Sequence, residues 1–336
     1  MRLENNLFYY GPSELSQDAL ICYLLSFAIP KYGILNKELE KCALDLLRLM
    51  CKEQIGNNDE VVVNEIRTQY LKIDVLVTIN NKFNIIIEDK TFSSQHSQQM
   101  QRYADLLKEK EPDKEIILVY YKIIEQPFPE LNAVNISRID ILNILKKYYV
   151  TCKDKIIQDY VDYLIWIDND VRSFMVEPIN NWSGHAYKGF FTNLIKEKTV
   201  NLENDYGWGY VSNPKGGFNG FWWYFLEGSL LEHNASAETS IDKIYLQIEN
   251  NIITFKIKKS EALGENGFEF IKYKRDKLFD YFNRYIEELK KTPFKIGAYM
   301  TVGYLEYNEN NYLEKIIELE QVMSQIENGE FYLMTC

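Results

Sequence analysis

The chain has 336 residues, 46% hydrophobic and 26% charged, with a formal net charge of −11. That is a globular composition with ample material for a core and enough length for two domains, which excludes a disordered or fibrous chain. The acidity argues against a general polyanion binder, whose affinity comes from Lys and Arg displacing counterions, but leaves room for a local basic groove or a site where metal offsets the acid.

No apolar run reaches the roughly 18 residues that a membrane span needs, and no apolar segment of a signal peptide follows the polar start, Arg2 to Asn6. The five scattered cysteines read as reduced thiols of a cytoplasmic protein, not as a disulfide frame or a zinc site.

Residues 16–28 (SQDALICYLLSFA) have the pattern of a helix, with Ser16 as N-cap and Pro30 as its stop. Residues 37–52 place Leu39, Cys42, Ala43, Leu46, Leu47 and Met50 on one stripe of a second helix. Residues 60–69 alternate weakly and are β-branched, as a strand would be. Two more strands are expected over 71–79 and 83–89, joined by Asn80-Asn81, a turn signal that closes hairpins. A helix over 93–109 turns Met100, Tyr103, Ala104 and Leu107 to one face. Residues 115–121 (EIILVYY) read as a buried strand and 134–136 as a short one; Ser137, with Asp140 in the capping-box position, opens another helix. The order α-α-β-β-β-α-β-β-α predicts an α/β domain over residues 1–150, a mixed sheet flanked by helices.

Residues 151–336 are expected to form a separate α+β domain with an antiparallel sheet. A long helix over 153–174 leads into it, and the NNWSGHAYKGFF segment opens a helix running to about Val200. Strands are expected over 207–212, 218–226, 243–248, 252–257, 295–304 and 331–334, with helices over 268–291 and 311–326. Trp182, Phe218, Trp222 and Trp223 lie among glycines near Lys188 and Lys215, a combination that stacks bases and touches phosphates in some proteins. Core aromatics beside a glycine-containing hairpin are the favoured reading. This half is expected to supply specificity, or a surface for a second copy or a partner protein.

The chemistry concentrates in residues 72–92 (KIDVLVTINNKFNIIIEDKTF). Successive side chains of a strand alternate faces, so Glu88 and Lys90 point one way and Asp89 the other, leaving the Asp89 backbone carbonyl beside Glu88. The hairpin brings Asp74 to the C-terminal end of the partner strand. Asp74 and Glu88, with that carbonyl, can share Mg²⁺ (or Mn²⁺ in its place), a hard ion that takes a few carboxylates and keeps several waters. Lys90 can then orient the attacking water or stabilise charge developing on a phosphate. Gln99 and Tyr103, four apart, project from one helix face over the same site, with Gln95 a turn earlier. Such a set suits phosphodiester hydrolysis. The competing reading of Asp74 and Lys90 is a cross-strand ion pair on a solvated face.

The run IIIEDKTFSSQHSQQMQRYADLL resembles the PD-(D/E)xK nuclease superfamily, in the branch where Glu-(Asn/Asp)-Lys is followed by Gln-x-x-x-Tyr; ELSQDALICYLLSFA is similar to the first helix of such proteins. The resemblance covers roughly residues 13–145 and implies a restriction-endonuclease-like core. By position, Asp74 matches the first acid, Glu88 the second, Lys90 the lysine, and Gln99 and Tyr103 the helix motif. Ile73 stands before Asp74, where the pattern's name has Pro. Glu14 or Asp18 matches loosely the extra acid that some members carry on the first helix, and Glu65 is a further acid nearby. The resemblance implies a Mg²⁺-dependent nuclease acting on DNA in preference to RNA, in restriction, repair or defence. The alternative is a catalytically silent nuclease fold serving as a nucleic-acid or protein binding module, which the net charge of −11 favours.

Overall fold

The computed structural model describes residues 5–51, 54–56, 59–91, 99–203, 205–214, 216–227, 241–259 and 268–327. The chain divides into two compact units, Met1–Asp170 and Val171–Cys336, each built on its own sheet.

The first unit opens with α1 (Leu7–Tyr10) and α2 (Glu14–Ser26). The cap of α2 is Ser13, not Ser16: Ser13 is extended, and its side chain accepts from the Ser16 amide. Pro30 does not stop α2, which ends at Ser26 with Phe27 as its C-cap; its fixed φ instead starts the short α3 (Pro30–Gly33). In α4 (Lys37–Met50) all six residues of the expected apolar stripe are buried, and the three leucines and Met50 each contribute about 1.5–3 kcal/mol by leaving water.

Next come β1 (Val63–Tyr70), β2 (Ile73–Ile79), β3 (Phe83–Lys90), α5 (Gln99–Lys110), β4 (Glu115–Lys122), β5 (Val134–Ser137), α6 (Arg138–Tyr148) and α7 (Lys155–Arg172). The sheet order is β1-β2-β3-β4-β5. The first three strands form an antiparallel meander, while β3-β4 and β4-β5 are parallel. Central β3 is buried along its whole length, which explains its unbroken apolar run. Asn80 and Asn81, at φ 52° and 54°, close the β2–β3 hairpin, because Asn tolerates the left-handed region. The expected capping box is present, with Ser137 and Asp140 bonded reciprocally at the start of α6. Residues 93–98 of the expected helix, including Gln95, lie outside the described residues.

Helix α7 is tied to this unit by buried polar contacts. Arg138 forks onto Glu125 and also donates to Asp168 at 3.0 Å. The Tyr121 and Tyr160 hydroxyls are 2.7 Å apart.

The second unit contains α8 (Gly184–Lys196), β6 (Tyr206–Val211), β7 (Phe218–Glu227), β8 (Ile241–Glu249), β9 (Ile252–Lys259), α9 (Phe268–Phe282), β10 (Lys290–Lys291), β11 (Tyr299–Glu306) and α10 (Tyr312–Glu327). Its sheet is antiparallel throughout, in the order β10-β11-β9-β8-β7-β6. Alternate residues such as Ile244, Leu246 and Ile248 enter one core with Phe190, Leu278 and Leu319. Trp182 and Trp223 belong to that core, and half-buried Trp222 lies across Gly207, where a Cβ would meet its ring at 3.0 Å. The expected helix over 268–291 is too long: it ends at Phe282, and Lys290 and Lys291 pair with β11 instead. The strand expected over 331–334, and Lys215, lie outside the described residues. No described helix is long and apolar enough to cross a membrane, and the four described cysteines are free.

Candidate active site

The site forms where β2 begins and β3 ends, beside α2. The register Val75↔Ile87, continued one step, sets Asp74 opposite Glu88. Strand alternation then leaves Glu88 and Lys90 on one face. The Lys90 ammonium lies 2.6 Å from Glu88 Oε1, 3.6 Å from Glu14 Oε2 and 3.8 Å from Asp74 Oδ2, and it donates to the Asp89 carbonyl at 3.1 Å. Three carboxylates from three elements thus surround one cation. The Glu88 side chain is fully buried, and those of Lys90 and Asp74 are 11% and 25% exposed. The cluster is mostly shielded from solvent, unlike an ion pair on a solvated face.

Helix α5 adds the next layer. The Gln99 amide donates to Glu88 Oε1 at 3.0 Å and to the Tyr103 hydroxyl at 2.8 Å, as the four-residue spacing requires. All five sequence-identified residues, Asp74, Glu88, Lys90, Gln99 and Tyr103, therefore belong to one contact network. The Asp89 side chain points away and is fully buried, with neither oxygen hydrogen-bonded.

Electrostatics follow from burial. Desolvation raises the Glu88 pKa, and Asp74 adds to the rise while Lys90 opposes it. Burial works against the Lys90 charge, but Glu88, Glu14 and Asp74 outweigh it and hold the ammonium protonated, above its ordinary range. Burial likewise pushes Asp89 well above the ordinary carboxylate range, helped by Asp18 and Glu14. Asp18 is pushed up to about 7, first by burial and then by Asp74.

Four further residues complete the surroundings. Glu14 reaches Lys90 and also accepts from the Thr91 amide at 3.2 Å. Asp18, one turn on, shares its electrostatic field. Buried Gln17 donates to the Thr91 hydroxyl and accepts from Tyr160 at 3.1 Å, fixing α2 to the end of β3. Gln69 donates to Asp74 Oδ1 at 3.2 Å. The four-residue spacing of Glu14 and Asp18 was a signal for a shared helix face; Gln17 and Gln69 had none. Glu65 stays out of this network and pairs with Arg67 at 3.4 Å.

Among the described residues, no three His, Cys, Asp or Glu side chains form a ready-made metal cage. The donor set nevertheless suits a hard divalent cation. It is all oxygen, and Glu88 Oε2 is a buried carboxylate oxygen with no hydrogen-bond partner. Mg²⁺ needs only a few such ligands beside its waters.

Residues 37–186 match the family model described as the PD-(D/E)XK nuclease superfamily. The matched span contains Asp74, Glu88, Lys90, Gln99 and Tyr103, but not Glu14 or Asp18. No curated protein and no solved structure gives a significant match.

Proposed function

We propose that this chain, whose residues 37–186 match the model of the PD-(D/E)XK nuclease superfamily, is a Mg²⁺-dependent nuclease that hydrolyses phosphodiester bonds, with DNA as its substrate. One observation carries this reading: the Lys90 ammonium sits among Glu88, Asp74 and Glu14 at the ends of two adjacent strands, with Gln99 bonded to Glu88.

Asp74, Glu88 and the Asp89 carbonyl would hold the ion, and Mn²⁺ would substitute for Mg²⁺. The ion would lower the pKa of its bound water and offset phosphate charge. Gln99 occupies Glu88 Oε1 and leaves Oε2 for the ion. Lys90 keeps a full positive charge for the oxygen on which negative charge develops. Tyr103 fixes the rotamer of Gln99. The second unit is assigned to specificity or partner binding, in a cytoplasmic role in restriction, repair or defence.

The test is cleavage of plasmid, single-stranded DNA and RNA with Mg²⁺ or Mn²⁺, comparing wild type with Glu88→Gln and Lys90→Met. Metal-dependent cutting lost in both variants supports the assignment; cutting that survives both refutes the site. Nucleic-acid binding without cutting under every condition favours a silent binding module, the reading suggested by the net charge of −11.

A further inference from the structure

The β1–β2 hairpin carries an unusual backbone. Gln69, Leu71 and Lys72 all have positive φ, at 52°, 54° and 67°. Leu71-Lys72 forms the two-residue connection between Tyr70 and its partner Ile73. A turn with both central residues left-handed ordinarily calls for Asn or Gly, and neither is used. Gln69 is left-handed as well, within the strand itself. Three such residues in four positions persist only where their surroundings over-determine them, and strain of this kind gathers at functional sites.

The surroundings here are specific. The register passes from Thr68↔Val75 to Tyr70↔Ile73, which leaves Gln69 facing Asp74 across the hairpin. The Gln69 amide donates to Asp74 Oδ1 at 3.2 Å, while Asp74 Oδ2 lies 3.8 Å from Lys90. Each oxygen of the carboxylate therefore has its own neighbour. Gln69 does for Asp74 what Gln99 does for Glu88: it occupies one oxygen and fixes the direction of the other.

We propose that Gln69 is a positioning residue that orients the Asp74 carboxylate for a divalent cation, held in place by the left-handed hairpin. The proposal rests on the nuclease reading, because it gives Asp74 a metal to hold. Outer-shell partners of ligating carboxylates typically change metal affinity by about 10–100-fold when removed.

Two substitutions separate positioning from folding. Gln69→Asn keeps an amide and tolerates the left-handed backbone, but is one methylene shorter. Gln69→Gly removes the amide and relaxes the backbone. Intact wild type and both variants are titrated with Mn²⁺ by calorimetry, assayed for plasmid cleavage across Mn²⁺ concentration, and melted without metal. The expected result is roughly tenfold weaker Mn²⁺ binding and a matching rise in the Mn²⁺ needed for half-maximal cutting. The rate at saturating Mn²⁺ falls less, and the melting temperature of Gln69→Gly holds or rises. Unchanged Mn²⁺ affinity in both variants, with wild type binding and cutting, overturns the role of Gln69 and leaves the nuclease reading standing. Activity losses that merely track a falling melting temperature overturn it too. A wild type that neither binds Mn²⁺ nor cuts removes the nuclease reading and this inference together.

Discussion

Replacing Asp18 by Asn should stabilise the metal-free protein, and increasingly so as pH rises. Asp18 is 5% exposed, and its Oδ1 has no hydrogen-bond partner. Burial and the nearby Asp74 push its carboxyl up to about 7 from an ordinary 3.8, with Lys90 offsetting only part of the rise. The folded state thus favours the neutral acid. Its stabilising contribution is complete below about pH 4, where the unfolded chain is also protonated, and is lost as pH climbs through about 7. The interval is about three pH units at about 1.4 kcal/mol each, so the penalty of the charged form approaches ~4 kcal/mol above pH 7. Asn carries no charge and escapes it. Urea unfolding in EDTA at pH 5, 6.5 and 8 should show the advantage of Asp18→Asn growing with pH and levelling off above 7. At pH 8 the melting temperature should rise on the order of 10 °C. A pH-independent difference, or an Asn variant less stable than wild type at pH 8, refutes the reasoning.

Lys90→Met should destabilise by about 3–5 kcal/mol near neutral pH, because it strips the counter-charge from buried Glu88. The double variant Lys90→Met/Glu88→Gln should recover most of that loss in urea unfolding while remaining inactive; failure to recover would show that Glu88 is not the charge being compensated. Gln99→Ala should lower metal-dependent cleavage by about 10–100-fold at nearly unchanged stability, since it removes the amide that donates to both Glu88 Oε1 and the Tyr103 hydroxyl and leaves Oε1 to Lys90 alone. Equal activity in a plasmid assay would remove α5 from the site. Gly189→Ala should destabilise by about 1–3 kcal/mol in thermal melts, because a Cβ there meets the Val171 carbonyl oxygen with no room to yield. A neutral effect would mean that α8 can shift.

Elements whose signals are local were legible in the sequence. Period two put Glu88 and Lys90 on one face and Asp89 on the other, and the Asn80-Asn81 turn returned Asp74 to Glu88. Period 3.6 aligned Gln99 with Tyr103 and sorted the apolar stripe of α4. These patterns are written in neighbours a few residues apart, so they survive without a fold. Local signals also misled. The helix-favouring run before Lys291 ends at Phe282, since pairing with β11 outweighs propensity there. The surroundings of the Lys90 ammonium emerge from long-range packing alone. Glu14 meets Lys90 from a helix 76 positions away, Gln17 reaches Thr91 across 74, and Gln69 acts on Asp74 through a turn whose residues carry no turn signature. Such contacts exist because α2 docks against the end of β3 and because the hairpin holds a strained backbone. Neither follows from hydrophobic periodicity, which specifies faces but not which face meets which.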